Sequence, residues 1–293
     1  MTQPRIGGVE AGGTKFVCAL GHPVDGIRAR TTIPTTTPEE TFRAVIAFFE
    51  MNGGVDRLGV ASFGPLVLDE QDPNFGRIAK TPKPSWSGAD IVGTLQTGLG
   101  CEVALDTDVN GSGLAEATLG AGRGLDVVTY VTVGTGVGGG VIINGRPLHG
   151  LNHPEMGHIL LKKRPADADF GGVCPFHGHC VEGLTSGPAI LARLGHPLSD
   201  ADPAAPIFDL IAGYLGEFCA TLSLIVAPQR IILGGGVMSN AGLYPRIRTT
   251  YSATLADYLQ SPAVHDVDSY IVPPALGDSA GVIGAMMLAS IAS

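Results

Sequence analysis

Within residues 158–180 the chain places His158 and the run Cys174-Pro-Phe-His177-Gly-His179-Cys180. Thiolate and imidazole together favour tetrahedral zinc, and four such donors leave no open coordination position. Cys174, His177 and Cys180 recur every third residue, which brings them round one compact loop, and His158 ties that loop to the turn before it. The role this implies is structural, a metal replacing core in a segment with few apolar residues. Two of the five cysteines and three of the eight histidines fall here, which argues against chance. His179 is the spare, expected to face solvent. Glu155 and Glu182 stand beside these donors. A carboxylate accepts paired hydrogen bonds from vicinal hydroxyls, as a sugar site requires, although each alone reads as an ordinary surface glutamate.

The segment Leu105-Asp-Thr-Asp-Val-Asn-Gly111 offers a candidate base. Asp108 is expected just past a strand ending near Leu105 and just before a helix, where open α/β folds present their ligand-facing groups. A carboxylate there can take a hydroxyl proton as a nucleophile forms. The competing reading is that Asp106 or Asp108 caps the helix. A calcium loop is excluded because its twelfth position, which requires a bidentate Glu, is Ala117.

Residues 5–21 and 128–145 read as one device used twice: β-branched strand, glycine turn, second strand. The turns carry Gly12-Gly13-Thr14 and Gly134-Thr135-Gly136. Glycine has no Cβ to obstruct an approaching anion or forbid positive φ, so backbone N–H groups can close on phosphate. Two such nests suggest a nucleotide polyphosphate gripped between related lobes.

The elements that must position these groups alternate in type. Strands are expected near 5–9, 15–20, 57–62 and 102–106, with a helix over 38–51 that starts at Thr37-Pro38. A helix over 110–119, the second hairpin and an irregular stretch 146–182 follow. Then come an apolar helix near 206–226, a strand at 230–233, a helix at 243–259, a strand at 269–272 and a last apolar helix at 279–291. The class is α/β, and no period of 20–50 residues recurs, which excludes a solenoid.

With 44% apolar and 15% charged residues in 293, the chain is globular and long enough for two lobes. A net charge of −9 without a Lys/Arg run argues against a nucleic-acid partner. No basic-then-apolar N-terminal leader and no run of roughly 18 apolar residues is seen, so neither membrane partner nor secretion is expected and a cytoplasmic location is. An odd cysteine count fits reduced thiols; Cys18 and Cys219 lie in apolar runs and read as small buried hydrophobes, and Cys101 carries no functional claim.

Taken together, GGVEAGGTKF at 7–16, DTDVNGSGLAE at 106–116, TVGTGVGGG at 132–140, HPEMGH at 153–158, CPFHGHCVEGLTSGP at 174–188 and LGGGV at 233–237 resemble the ROK-family sugar kinases of the actin/hexokinase-like ATPase fold, most closely their bacterial fructokinase branch. The segments occur in the family's order along nearly the whole chain. The resemblance implies two α/β lobes, duplicated ribonuclease-H-like units with an interlobe cleft. The N-terminal lobe would cover 1–112 with the helix 279–293 packing back onto it, and a second lobe, 113–278, would carry the zinc loop. It implies Asp108 as general base and Gly64, Thr107, Asp108, Glu155, His158 and Glu182 around the sugar. Glu10, Gly12, Gly13, Thr14, Gly134, Thr135, Gly136, Gly235 and Gly236 would hold ATP and Mg²⁺. His158, Cys174, His177 and Cys180 would hold zinc. Asp278 either caps a helix or helps close the nucleotide site.

Three positions depart from the family pattern: Glu10 where many relatives have Asp, Thr107 where they have Asn, and CPFHGHC in place of a cysteine-richer loop. The expected reaction is phosphorylation of D-fructose to fructose 6-phosphate. Mannose, glucose or broad hexose phosphorylation is the alternative, because epimers differ by one hydroxyl. A sugar-responsive repressor is disfavoured, since no helix-turn-helix is expected before residue 7. A homodimer is expected from relatives and is compatible with the mean hydropathy of +0.27.

Overall fold

The computed structural model describes residues 4–81 and 83–291. The first run of elements is β1 (Ile6–Ala11), β2 (Lys15–His22), β3 (Gly26–Pro34), α1 (Pro38–Met51), β4 (Arg57–Ser62), α2 (Ile91–Leu99), β5 (Glu102–Thr107) and α3 (Asp108–Leu119). Its sheet has the order β3-β2-β1-β4-β5, antiparallel across the first three strands and parallel from β1 through β4 to β5. The helix read at 38–51 begins as its residues dictate: Thr37 Oγ1 accepts from Glu40 N at 3.3 Å, and Pro38 opens the first turn, where its missing N–H costs no bond.

The second run is β6 (Val127–Val133), β7 (Val137–Ile143), β8 (Arg146–Pro147), α4 (Val181–Thr185), α5 (Gly187–Leu194), α6 (Pro206–Ile225), β9 (Arg230–Gly234), α7 (Leu243–Leu255), α8 (Pro262–His265), α9 (Val267–Tyr270) and β10 (Ile271–Val272). Its sheet order is β10-β9-β6-β7-β8. Read from the other edge, β8-β7-β6 is an antiparallel meander and β6, β9 and β10 are parallel, which repeats the plan of the first sheet. The duplication seen in two glycine turns therefore extends to two whole sheets, as the actin/hexokinase-like resemblance implies.

The last helix, α10 (Ala280–Ile291), lies on β1, β4 and α3. Small residues make this possible. A Cβ built on Gly59 would overlap the carbonyl of Ala285, and one on Gly284 would overlap the backbone of Gly111, so helix and sheet meet backbone to backbone. The chain forms two compact units, Met1–Gly120 with His149–His153 and Leu276–Ser293, and Ala121–Leu148 with Pro154–Ala275. The sequence reading drew the first boundary at 112, but α3 runs through that point and belongs whole to the first unit.

Each unit has its own core. In the first, the only tryptophan, Trp86, is fully buried with ring centroids 5.5 Å from Phe16, Phe42 and Phe63, and its indole N–H donates to the Thr36 carbonyl at 2.9 Å. In the second, α6 is 20 residues long and apolar enough by length and composition to cross a membrane, yet 72% of its apolar window is buried inside the unit, as in a core helix. Cys18 and Cys219 are fully buried, and burial pushes both thiols up to about 12, which fits inert small hydrophobes.

A buried ion pair ties the loop before the cysteine cluster to α5 and α6. Arg193 donates to Asp167 through Nε at 3.0 Å and Nη2 at 2.7 Å, Tyr214 donates to the same carboxylate at 3.0 Å, and the guanidinium stacks 3.7 Å from the Phe170 ring. Arg193→Met leaves Asp167 buried without its cation and is expected to cost about 3–5 kcal/mol of stability. Urea unfolding followed by circular dichroism checks this; a loss below about 1 kcal/mol would contradict it.

Several local expectations are corrected. β3 was not anticipated, although Ile27, Ala29, Thr31 and Ile33 alternate with exposed residues along it. α2, α4 and α5 were also missed. The strand expected over 269–272 is only Ile271–Val272, preceded by the helical turn α9, and α7 ends at Leu255 rather than 259. Asp278 is not at an N-cap position: it lies inside a 3₁₀ turn, Gly277–Ser279, that leads straight into α10.

Candidate functional site

In the first unit, β1 and β2 meet at Gly12-Gly13-Thr14. The Gly12 N–H donates to the Lys15 carbonyl at 3.0 Å, and Thr35, just past β3, braces the turn by donating through Oγ1 to the Gly12 carbonyl at 2.8 Å and through N–H to the Thr14 carbonyl at 3.0 Å. Gly13 and Thr14 are exposed, and nothing lies within 4 Å of where a Gly13 Cβ would stand. None of Gly12, Gly13, Gly134 and Gly136 has positive φ, so glycine serves these turns by its small size rather than by its handedness. Gly235, in the LGGGV run, does need both: its φ is 91°, and a Cβ there would stand 2.5 Å from the Val133 carbonyl oxygen.

Glu10, two residues before the first turn, packs its carboxyl against Gly281 in the first turn of α10. Burial holds that carboxyl above the ordinary carboxylate range, and the Lys15 and Arg30 cations oppose the shift. An oxygen donor in partly dry surroundings beside a phosphate-sized turn fits Mg²⁺, which is typically held by one or two carboxylates plus substrate phosphates.

β5 delivers Asp108. Thr107, not either aspartate, is the N-cap of α3: its Oγ1 accepts from Asn110 N at 3.2 Å. The capping reading of Asp106 and Asp108 is thereby corrected, and Asp108 becomes the first helical residue, half-buried, with Oδ1 accepting from Val109 N at 2.9 Å. A helix N-terminus favours the charged carboxylate there. Gly64 follows β4 and precedes a cis bond to Pro65.

Sequence reasoning weighed Asp106 only as a helix cap and missed its buried pairing. Asp106 accepts from Thr107 N and Asn110 Nδ2, both at 2.7 Å, and pairs with His149 Nε2 at 3.1 Å. His149 lies 43 residues further along, so no local pattern could signal the pair. The Asp106 hydrogen bond holds His149 above the ordinary histidine range against the opposing effect of its partial burial. Because the folded-state value is the higher one, the pair's stabilisation is complete below about pH 6.5 and is lost as pH rises through the folded value. An NMR titration is expected to place His149 above 6.5 and Asp106→Asn to return it toward 6.5; an unchanged midpoint would contradict the pairing.

In the second unit, β6 and β7 meet at Gly134-Thr135-Gly136, closed by Gly134 N donating to the Gly136 carbonyl at 2.8 Å, with Thr135 exposed. Glu182, in the first turn of α4, accepts from Val137 N at 3.1 Å. Cys180 is the N-cap of α4, its Sγ accepting from Gly183 N at 3.4 Å. Glu155 is exposed, and its carbonyl accepts from His158 N at 3.0 Å.

His158, Cys174, His177 and Cys180 bring one donor atom each to within 4.8 Å of one another. Cys174 Sγ is 3.7 Å from Nδ1 of both His158 and His177, and Cys180 Sγ is 3.6 Å from His158 Nδ1. Zinc bonds of about 2.3 Å to sulfur and 2.0–2.1 Å to nitrogen set those atoms about 3.6 Å apart at a tetrahedral angle, so the donor set fits the ion. The Cys174 turn closes through Gly178, whose N–H donates to the Cys174 carbonyl at 2.9 Å from a left-handed φ of 60°. His179 is outside the group.

The chain matches the ROK family model over residues 6–291. It is 45% identical over 290 residues to a fructokinase of Zymomonas mobilis, covering 97% of this chain and 95% of that one. It is 40% identical over 287 residues to a fructokinase of Pediococcus pentosaceus, covering 98% of each. Among solved structures, the ROK hexokinase of Thermus thermophilus superposes with a TM-score of 0.80 at 26% identity, over 98% of each chain. Two sheets of one plan, two glycine turns and a four-donor loop thus coincide with a match along nearly the full length: the chain belongs to the ROK family.

Proposed function

We propose that this protein transfers the γ-phosphoryl group of ATP to a hexose, D-fructose, giving fructose 6-phosphate, with Asp108 as the general base. The observation that carries the choice of substrate is full-length similarity to fructokinases at 40–45% identity, against 26% to the ROK hexokinase. The position of Asp108 as the first residue of α3, directly after β5, supports its role.

Phosphoryl transfer asks little covalent work of the protein, so positioning and charge neutralisation dominate. Asp108 accepts the proton of the sugar hydroxyl as its oxygen attacks the γ-phosphorus in line and ADP leaves. Thr107 supports this by capping the helix that carries Asp108. The turns that Gly12 and Gly134 close through their own N–H groups leave the N–H groups of Gly13 and Gly136, with the Thr14 and Thr135 hydroxyls, to bind phosphate oxygens, and Gly235 and Gly236 admit the adenosine. Mg²⁺, when bound, neutralises charge on the β- and γ-phosphates, and Glu10 is the residue to hold it or its waters. Zinc, when bound, fixes the loop structurally. With Nδ1 of His158 turned to the two cysteines, its Nε2 remains to donate to a sugar oxygen. Glu155, Glu182 and Gly64 complete the sugar contacts. The family resemblance adds a cytoplasmic location and a homodimer to the proposal, and sedimentation of the purified chain tests the dimer.

Initial rates of ADP formation with ATP and Mg²⁺ are compared on fructose, mannose, glucose and no sugar. The highest kcat/KM is expected on fructose. A higher value on glucose or mannose replaces the substrate, and sugar-independent or absent turnover rejects the kinase reading.

A further inference from the structure

The segment 156–187 holds the second glycine turn at both ends. Val137, the first residue after the turn, is 4% exposed and donates its N–H to Glu182 Oε2. A Cβ on Gly136 would stand 2.7 Å from the same oxygen, so carboxylate and turn are in direct contact. From the other side, a Cβ on Gly157 would overlap the Val137 carbonyl. At the start of the turn, Gly187 N donates to the Gly134 carbonyl at 2.7 Å. Two of the three holding residues adjoin the cysteine–histidine cluster: Gly157 precedes His158, and Glu182 follows Cys180 by two residues in the helix that Cys180 caps.

We infer that the cluster loop is the mould of the second phosphate turn: zinc occupancy and nucleotide affinity are coupled, and Glu182 is the positioning residue that carries the coupling, beyond any contact it makes with sugar. The inference rests on the reading of Gly134-Thr135-Gly136 as a phosphate loop and of the cluster as a zinc site. A turn whose flanking N–H is fixed by a carboxylate keeps its phosphate-binding N–H groups aligned only while that carboxylate is held. The carboxylate is held by a five-residue helix whose N-cap is a metal ligand. Coupling of binding equilibria is reciprocal, so nucleotide must tighten zinc by the same factor as zinc tightens nucleotide.

The test measures ADP affinity by calorimetry in the absence of sugar, on zinc-loaded chain, on chelator-stripped chain, and on zinc-loaded Glu182→Ala and Glu182→Gln. Far-ultraviolet circular dichroism, dominated in the second unit by the buried helix α6, verifies that each form is folded. Stripping is expected to weaken ADP binding about 10-fold, and ADP to tighten zinc by the same factor at equilibrium in competition with a chromogenic chelator. Glu182→Ala is expected to weaken ADP about 10-fold even with zinc bound. Glu182→Gln, which keeps an acceptor for Val137, restores most of the loss. A residue that serves only the sugar would leave sugar-free ADP affinity unchanged in both variants, and that result overturns the inference alone. Failure of the chain to take up zinc overturns it together with the metal reading, and failure of the zinc-loaded chain to bind ADP overturns it together with the kinase reading.

Discussion

Asp108→Asn is expected to lower kcat for hexose phosphorylation by about 10²–10⁴-fold while leaving the fold and ADP affinity close to wild type. The amide keeps the shape of the carboxylate and can still accept from Val109 N, so the start of α3 survives. What it loses is the capacity to take a proton. Removing a negative charge from a helix N-terminus costs only about 0.3–1 kcal/mol, so the activity loss cannot be a disguised stability loss. Steady-state kinetics together with denaturant unfolding, followed at Trp86, separate the two effects. A variant that turns over at the wild-type rate would remove Asp108 from the base role, and one that loses kcat and unfolds would leave the role undecided between chemistry and folding.

Cys180→Ala is expected to have the largest effect on stability. The residue is fully buried, is one of the four cluster donors and caps α4, so one substitution removes a metal ligand and a helix cap together. The cap is worth about 1 kcal/mol and a structural zinc considerably more, since metal-binding free energy is folding free energy for the loop it closes. At about 2–4 °C per kcal/mol for chains of this order, a Tm drop of 10 °C or more is expected, with loss of bound zinc by elemental analysis. Cys219→Ala is the control: it leaves a cavity in α6 but touches no cluster donor, so zinc content is expected to stay at one per chain. Retention of one zinc per chain by Cys180→Ala would contradict the assignment of the ligands.

How much of this was legible before folding depended on whether the signal was local. The two hairpins were readable because β-branched runs flank glycine turns, and α1 because Thr37-Pro38 is a start signal with its own mechanism. The four cluster donors were readable because three of them share one loop at fixed spacing. The start of α3 was misplaced by two residues because three candidate caps, Asp106, Thr107 and Asp108, stand in a row, and only the folded backbone selects Thr107. β3 escaped notice because arginines and threonines occupy an edge strand whose period-two burial is shallow. α2 and α3 carry glycines that lower helix propensity, and in α3 a Cβ on Gly111 would stand 2.7 Å from the Ala61 side chain of β4. The contacts that organise the site, Asp106 with His149 and Glu182 with Val137, join residues more than 40 positions apart and exist only through the fold.

The proposed reaction places the γ-phosphoryl group of ATP on the C6 hydroxyl of fructose. Phosphorus and carbon NMR of the products formed from uniformly ¹³C-labelled fructose, ATP and Mg²⁺ test it directly. The expected result is a phosphomonoester resonance coupled to C6, growing one for one with ADP and forming about 10²–10⁴-fold more slowly with Asp108→Asn. Free inorganic phosphate as the only product, or an ester on another carbon, would contradict it.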